Sequence, residues 1–199
     1  MLCPACRSLI HERAPACLHC GFDLAAAERF FGLPPQLSSG VTDLAGALRP
    51  RERRTLAQAL HKARIHFPQL RFSTVISRLP LHVPIRAYAF WLFNQPALNT
   101  PMEKGGACRL VLFAMDVEHQ RLACMVGYGL ELFVGEDTLE RILSAAQRAL
   151  SAQDYAGAIL AALEQAETEL ASLSRGIPEA FGLHVAQSEE TPAEEVFAY

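Results

Sequence analysis

Leu110-Val111-Leu112-Phe113-Ala114-Met115 is apolar at all of its positions and bounded by Arg109 and Asp116. A run this short, with no polar alternation, reads as a strand buried on both faces, which requires a covering layer on each side of its sheet. Residues 116–120 form a turn and residues 122–126 return as an antiparallel partner. With the turn centred near Glu118, position 124 comes opposite 113. Cys108 and Cys124, on the two arms, then lie on the order of 15 Å apart, too far to bond, and read as buried inert thiols.

Upstream, residues 70–77 are rich in β-branched and aromatic side chains and predict a second strand, and Pro84 opens a mostly apolar helix over residues 85–93. Strand, helix and strand in succession imply a right-handed crossover, so residues 70–77 and 109–115 should run parallel. Pro50 suits a first helical position, and Leu56, Ala59, Leu60 and Ala63 recur three or four apart, which predicts an amphipathic helix over residues 50–66 that ends before Pro68. Downstream, residues 137–150 and 153–174 are alanine-rich helices placed to cover the sheet. The expected fold is α/β: a mixed-sheet α/β/α sandwich over residues 41–175.

Ahead of it stand Cys3-Pro-Ala-Cys6 and Cys17-Leu-His-Cys20, two CxxC pairs ten residues apart. Two such turns face to face place four thiolates at about 2.3 Å from one Zn²⁺, with no position left for water, so Cys3, Cys6, Cys17 and Cys20 read as a closed, structural zinc ribbon. Two disulfides are the alternative. No room for a signal segment exists before Cys3, and thiolate ligands favour a reducing compartment, so zinc and the cytosol are the expectation. His11 and His19 are then spare. About 25 residues bury too little apolar surface to fold alone, so metal binding should supply the missing free energy. The ribbon and a short helix, capped by Asp23 and ended at Gly32, occupy residues 1–31. Residues 32–40 have a linker's composition.

The chain has 199 residues, 51% of them hydrophobic, ample for one medium domain beside the ribbon. The longest uncharged stretch, residues 87–102, is interrupted by Asn94, Gln95, Pro96, Asn99 and Pro101, which excludes a membrane span. Five glutamates past Arg175 account for the net charge of −3, leaving 18 basic against 16 acidic residues over residues 1–175. That balance is no nucleic-acid footprint. Residues 176–199 read as a flexible acidic tail whose last residues, Val196-Phe197-Ala198-Tyr199, are either a docking peptide or a frayed end.

Gly127-Tyr128-Gly129-Leu130-Glu131 leads out of a strand, and Gly135-Glu136-Asp137-Thr138 leads into a helix. The glycines permit a sharp turn at the sheet edge. Glu131, Glu136 and Asp137 thus share one loop and form a candidate site for Ca²⁺ or Mg²⁺. Capping, with Glu140 in the first turn, is the simpler reading of Asp137, and plain solvation that of Glu136, although the roles can coexist. These runs, with Val41-Thr42-Asp43-Leu44-Ala45-Gly46-Ala47-Leu48 and the buried strand from Leu110, resemble the TPM domain family over residues 41–174. The resemblance implies an α/β sandwich, acidic residues that bind divalent cations, and a disputed acid phosphatase activity reported for plant members. Asp43 joins the candidate carboxylates on that basis, since seven extended residues before Pro50 reach up to roughly 24 Å. Asp116, at the hairpin's turn, should lie some 20 Å or more from the loop and is left out.

Two functions fit these residues. One is a binding or accessory module with protein partners, stiffened by zinc. The other is a divalent-metal-dependent, phosphatase-like hydrolase. For the second, Arg49, Arg51, Arg53 and Arg54 crowd a helix start and offer an anion site, although a solvated basic face explains them too. Ser73, Thr74 and Ser77 have no evident base beside them, His61, His66 and His82 are scattered, and no P-loop, CxxxxxR loop or GxSxG elbow occurs. The binding module is the preferred expectation.

Overall fold

The computed structural model describes residues 2–11, 14–37, 40–96, 98, 109–131 and 133–180. Cys108 and the acidic tail beyond Ala180 therefore lie outside the described residues. Four strands, β1 (Val41–Asp43), β2 (Arg71–Ser77), β3 (Leu110–Asp116) and β4 (Arg121–Val126), form one sheet in the order β1-β2-β3-β4. The first three are parallel, and β4 returns antiparallel with Phe113 opposite Cys124. The mixed sheet expected from the apolar hexapeptide is present.

Strand alternation separates two cores. Val111, Phe113 and Met115 of β3 pack with α2 (Pro50–His66), α5 (Glu136–Ser151) and α6 (Tyr155–Ala180). Leu110, Leu112 and Ala114 point the other way, into a core shared with α1 (Leu24–Phe31) and α3 (Ile85–Phe93). Every residue of β3 is buried because each successive side chain enters a different helical layer. The architecture is the α/β/α sandwich expected.

Local rules set most helix ends. Asp23 caps α1 by accepting from the Ala26 backbone N–H, and Gly32, at φ 75°, ends it. Pro50 opens α2, where Glu52 reaches back to the Arg49 backbone N–H at 2.7 Å. Four details depart from the sequence reading. β1 is an additional parallel strand of three residues. The glycine-tyrosine-glycine run does not turn sharply: residues Tyr128–Glu131 wind into a short helix, α4, with Gly129 inside it. Asp137 is not a cap, because Gly135 holds the N-cap position of α5 and Asp137 sits in its first turn. Finally, α6 continues through Ala180, past Gly176 and Pro178, so the tail begins later than composition indicates.

Candidate metal centre and acidic loop

The two CxxC segments share one pattern of turn hydrogen bonds. The Cys3 backbone N–H donates to Ser8 O at 2.9 Å and the Arg7 N–H to Cys3 O at 2.9 Å; fourteen residues on, the Cys17 N–H donates to Phe22 O and the Gly21 N–H to Cys17 O. Each turn needs a left-handed residue at its fifth position, and it is Arg7 (φ 64°) in one and Gly21 (φ 70°) in the other. The repeated turn aims both sulfurs of each pair at one point. Cys3 Sγ and Cys20 Sγ are 3.7 Å apart, as are Cys6 Sγ and Cys17 Sγ, and all four lie within 4.8 Å of one another.

A disulfide requires about 2.05 Å, so these are free thiols. A tetrahedron with metal–sulfur bonds of about 2.3 Å has edges near 3.8 Å, which the observed pairs match. The electrostatics ask for a cation as well. The Ser8 hydroxyl and backbone N–H pull the Cys6 thiol down to about 6. At Cys20 the Phe22 backbone N–H pulls the same way, but desolvation and the other three sulfurs outweigh it and push that thiol up to about 12. Four sulfurs this close cannot all ionise unless a positive charge sits among them. Cys3 and Cys17 are buried, while Cys20 is exposed. The set could hold a metal ion, and it leaves no ligand position open. His11 and His19 are not members of it.

The lobe is packed onto the sandwich. Phe22 meets Phe90 edge-on at 5.8 Å between centroids, and Phe31 lies 5.0 Å from Trp91 and 5.4 Å from Tyr88. Leu37, within the expected linker, is partly buried against the same core. Arg7 approaches Glu136 at 3.7 Å.

The four candidate carboxylates are not brought together. Asp43 ends β1 in register with Ile76 and Met115, whereas residues 127–131 follow the opposite end of β4, at Val126 beside Val111. Four residues of strand separate these rows, about 13 Å. The Asp43 carboxylate is fully buried and occupied: Oδ1 accepts from Ala47 N at 3.1 Å, and Oδ2 from Leu48 N at 3.0 Å and Arg53 at 3.3 Å. It shapes the loop before α2. Glu131 and Glu136 border one cleft, while Asp137 borders another with Glu140 and Arg141. Among the described residues the four cysteines are the one group of three or more His, Cys, Asp or Glu placed to share an ion.

Among the described residues the most heavily engaged carboxylate is Asp116, at the opposite end of the β3–β4 hairpin from the acidic loop. Its side chain is fully buried. Oδ1 accepts from the Leu79 and Glu118 backbone N–H groups at 3.0 and 3.1 Å, and Oδ2 faces His119 Nδ1 at 3.0 Å and the Arg121 guanidinium at 2.6 and 2.9 Å. Arg121 also donates to Val83 O at 2.9 Å. The group locks the β2–α3 connection to the β3–β4 turn, and no sequence pattern marks it.

Residues 41–169 match the family model described as the TPM domain. In fold the chain is similar to the solution structure of the N-terminal domain of a protein from P. gingivalis, with a TM-score of 0.55 and 22% identity over 67% of this chain and 83% of that one. It is also similar to the N-terminal domain of the cg2496 protein of Corynebacterium glutamicum, with a TM-score of 0.51 and 19% identity over 69% and 83% of the two chains. A third likeness is the BA42 protein of the psychrophilic bacterium Bizionia argentinensis, with a TM-score of 0.53 and 16% identity over 65% and 86%. No curated protein matches the chain.

Proposed function

The chain belongs to the TPM domain family, and from that premise we propose that it is a binding or accessory module whose N-terminal lobe is a ribbon held by one structural Zn²⁺. The observation that carries the reading is the pair of cysteine turns with the same hydrogen-bond pattern, which converge four soft sulfur donors at tetrahedral spacing. Thiolate sets of this kind select zinc over hard cations, and a closed set supports structure rather than turnover. Thiolate ligation also suits a reducing compartment, and the cytosol is the proposed location.

The hydrolase reading has less support. Ser73, Thr74 and Ser77 are buried within β2, and the Ser77 hydroxyl is bonded to Tyr88 at 2.9 Å. The carboxylates at the carboxyl end of the parallel strands, Asp43 and Asp116, have their oxygens filled by protein donors. No helix among the described residues is long and apolar enough to cross a membrane.

Elemental analysis of gently purified, reduced protein tests the zinc reading: one zinc per chain is expected, and metal-free, folded protein would overturn it. Phosphatase assays with Ca²⁺, Mg²⁺ or chelator test the module reading. Turnover that disappears in Glu131→Ala or Asp137→Ala protein would replace it with the hydrolase.

A further inference from the structure

We propose that the outward face of α2 is a docking surface for this chain's own acidic segment, residues 181–199, with Glu189 and Glu190 against Lys62 and with Glu194 and Glu195 against Arg51 and Arg54. The proposal goes beyond the module reading and does not depend on it. Arg51, Arg54 and Lys62 are exposed. At 3.6 residues per turn they fall within one arc of about 80°, opposite the buried Leu56, Leu60 and Ala63. Among the described residues none of the three side chains makes an ion pair or a hydrogen bond. The carboxylates around them are engaged elsewhere. Glu52, the single acidic residue of α2, accepts from the Arg49 backbone N–H at 2.7 Å, Asp43 takes Arg53 at 3.3 Å, and Glu167 of α6 takes His66 at 3.0 Å. Glu164 of α6 is exposed and makes no ion pair with α2.

The place where α6 ends brings the segment to this face. Arg53, near the start of α2, reaches Asp43 at the end of β1, and Tyr155, at the start of α6, donates to Val117 O just past the end of β3. At the other end of α2, His66 bonds to Glu167 of α6, so the two helices run side by side in the same direction. From Glu167 to Ala180 the helix advances about 20 Å past the end of α2. Lys62 then lies about 26 Å back from Ala180 along the axis, and Arg51 about 42 Å. An extended chain from Ala180 reaches up to about 30 Å at Glu189 and about 50 Å at Glu195. Both levels of α2 are within reach, in an order that runs the segment antiparallel to the helix.

Charge and spacing agree with that order. Residues 181–199 carry Glu189, Glu190, Glu194 and Glu195 and no Lys, Arg or Asp. Thr191-Pro192-Ala193 separates the two pairs, and a proline favours extended backbone in the residue before it. In extended chain the centres of the pairs lie about 17 Å apart. Along α2, Lys62 stands about 14 Å from the midpoint of Arg51 and Arg54, a mismatch that long side chains absorb. The positive end of the α2 macrodipole adds to the attraction where Glu194 and Glu195 arrive. Exposed ion pairs are weak singly, but attachment to α6 holds the segment at an effective concentration on the order of 1 mM, so a few of them suffice. Arg51 and Arg54 are then covered by the chain itself instead of serving an anion site.

Lys62 and Lys104 are the only lysines, which makes zero-length cross-linking a direct test. A carbodiimide joins an amine to a carboxylate only where the two are in contact. The zinc-loaded full chain is treated at micromolar concentration in low salt, the monomer is isolated by size exclusion, and linked peptides are identified by mass spectrometry. The expected product is an amide between Lys62 and Glu189 or Glu190 within the monomer. Its yield should fall about fivefold or more when the reaction is run in about 1 M NaCl, which shortens the screening length to about 3 Å. A similar fall is expected in Arg51→Gln/Arg54→Gln protein, which removes two exposed cations and leaves every cross-linking group in place. A monomer without that link would overturn the proposal. A link confined to the dimeric fraction would overturn it too, by assigning the face to a second copy. A yield indifferent to the arginine changes would overturn the placement of Glu194 and Glu195.

Discussion

Replacing Asp116 by Asn tests what the buried carboxylate holds together. The oxygens of Asp116 face five donors: two backbone N–H groups, His119 Nδ1 and two nitrogens of Arg121. An amide keeps one acceptor oxygen and turns an NH₂ toward donors that previously met an anion. Neutralising one partner of a buried ion pair costs about 3–5 kcal/mol, because the other charge stays desolvated without its counter-ion. Arg121 is a quarter exposed and keeps the Val83 carbonyl, so the lower end applies, about 3 kcal/mol. With a urea slope of about 2 kcal/mol/M, the midpoint should fall by about 1.5 M at pH 7. The pH dependence supplies a second reading. Burial by itself raises the Asp116 carboxyl, but Arg121, the Leu79 amide, His119 and the Glu118 amide together hold it below the ordinary range. A depressed folded value stabilises in full above the unfolded carboxyl value, about 3.9, and the contribution disappears as pH falls through the folded value. The gap between wild type and Asp116→Asn should therefore narrow on acidification below about pH 4. A loss under about 1 kcal/mol at pH 7, or a gap that does not narrow in acid, would refute the reasoning.

Chelation under reducing conditions should abolish amide protection in residues 2–22 while the sheet stays protected, and persistent protection there would contradict a metal-held lobe. Arg7→Gly should tighten zinc binding severalfold in a competition titration, because a left-handed conformation at φ 64° costs a non-glycine residue about 1 kcal/mol and the loose contact with Glu136 contributes little. Weaker binding would show that Arg7 does more than fill the turn. Glu169 receives a bidentate pair of bonds from Arg141 at 2.7 Å each and a third from Gln165, which outweigh desolvation and hold its carboxyl at about 2. Arg141 is half exposed, so screening limits the loss in Glu169→Gln to about 1 kcal/mol at pH 7. That difference should be present above about pH 4.3, the unfolded value, and largely gone by about pH 2, as urea titrations at the two pH values would show.

What was legible in the sequence is what short-range chemistry determines. Pro50 and Pro84 mark helix starts, and the hexapeptide at Leu110 announces a doubly covered strand. Paired CxxC turns converge their sulfurs with no help from the rest of the chain. The misses share a different cause. β1 is three residues long, too short for periodicity, and exists through pairing with residues 74–76. Asp116 reads as a turn residue because one of its donors, the Leu79 N–H, comes from 37 residues away. Asp43 and the acidic loop look groupable by reach alone, and strand register then puts them at opposite ends of the sheet.

The apolar helix α3 bears on how the two parts of the chain relate. Residues 85–93 are apolar around nearly the whole helix, and Ala87, Tyr88, Ala89, Trp91, Leu92 and Phe93 are all buried. A helix covering a sheet buries one stripe and leaves its outer face to water, so an all-round apolar helix calls for a second cover. That cover is α1 with its flanks: Phe22, Ala27, Phe31 and Leu37 share a core with α3. The cysteine lobe is thus the start of a segment that completes one layer of the sandwich, and a metal held by its turns would stiffen, through the contact of Phe22 with Phe90, the cover on the outer face of α3.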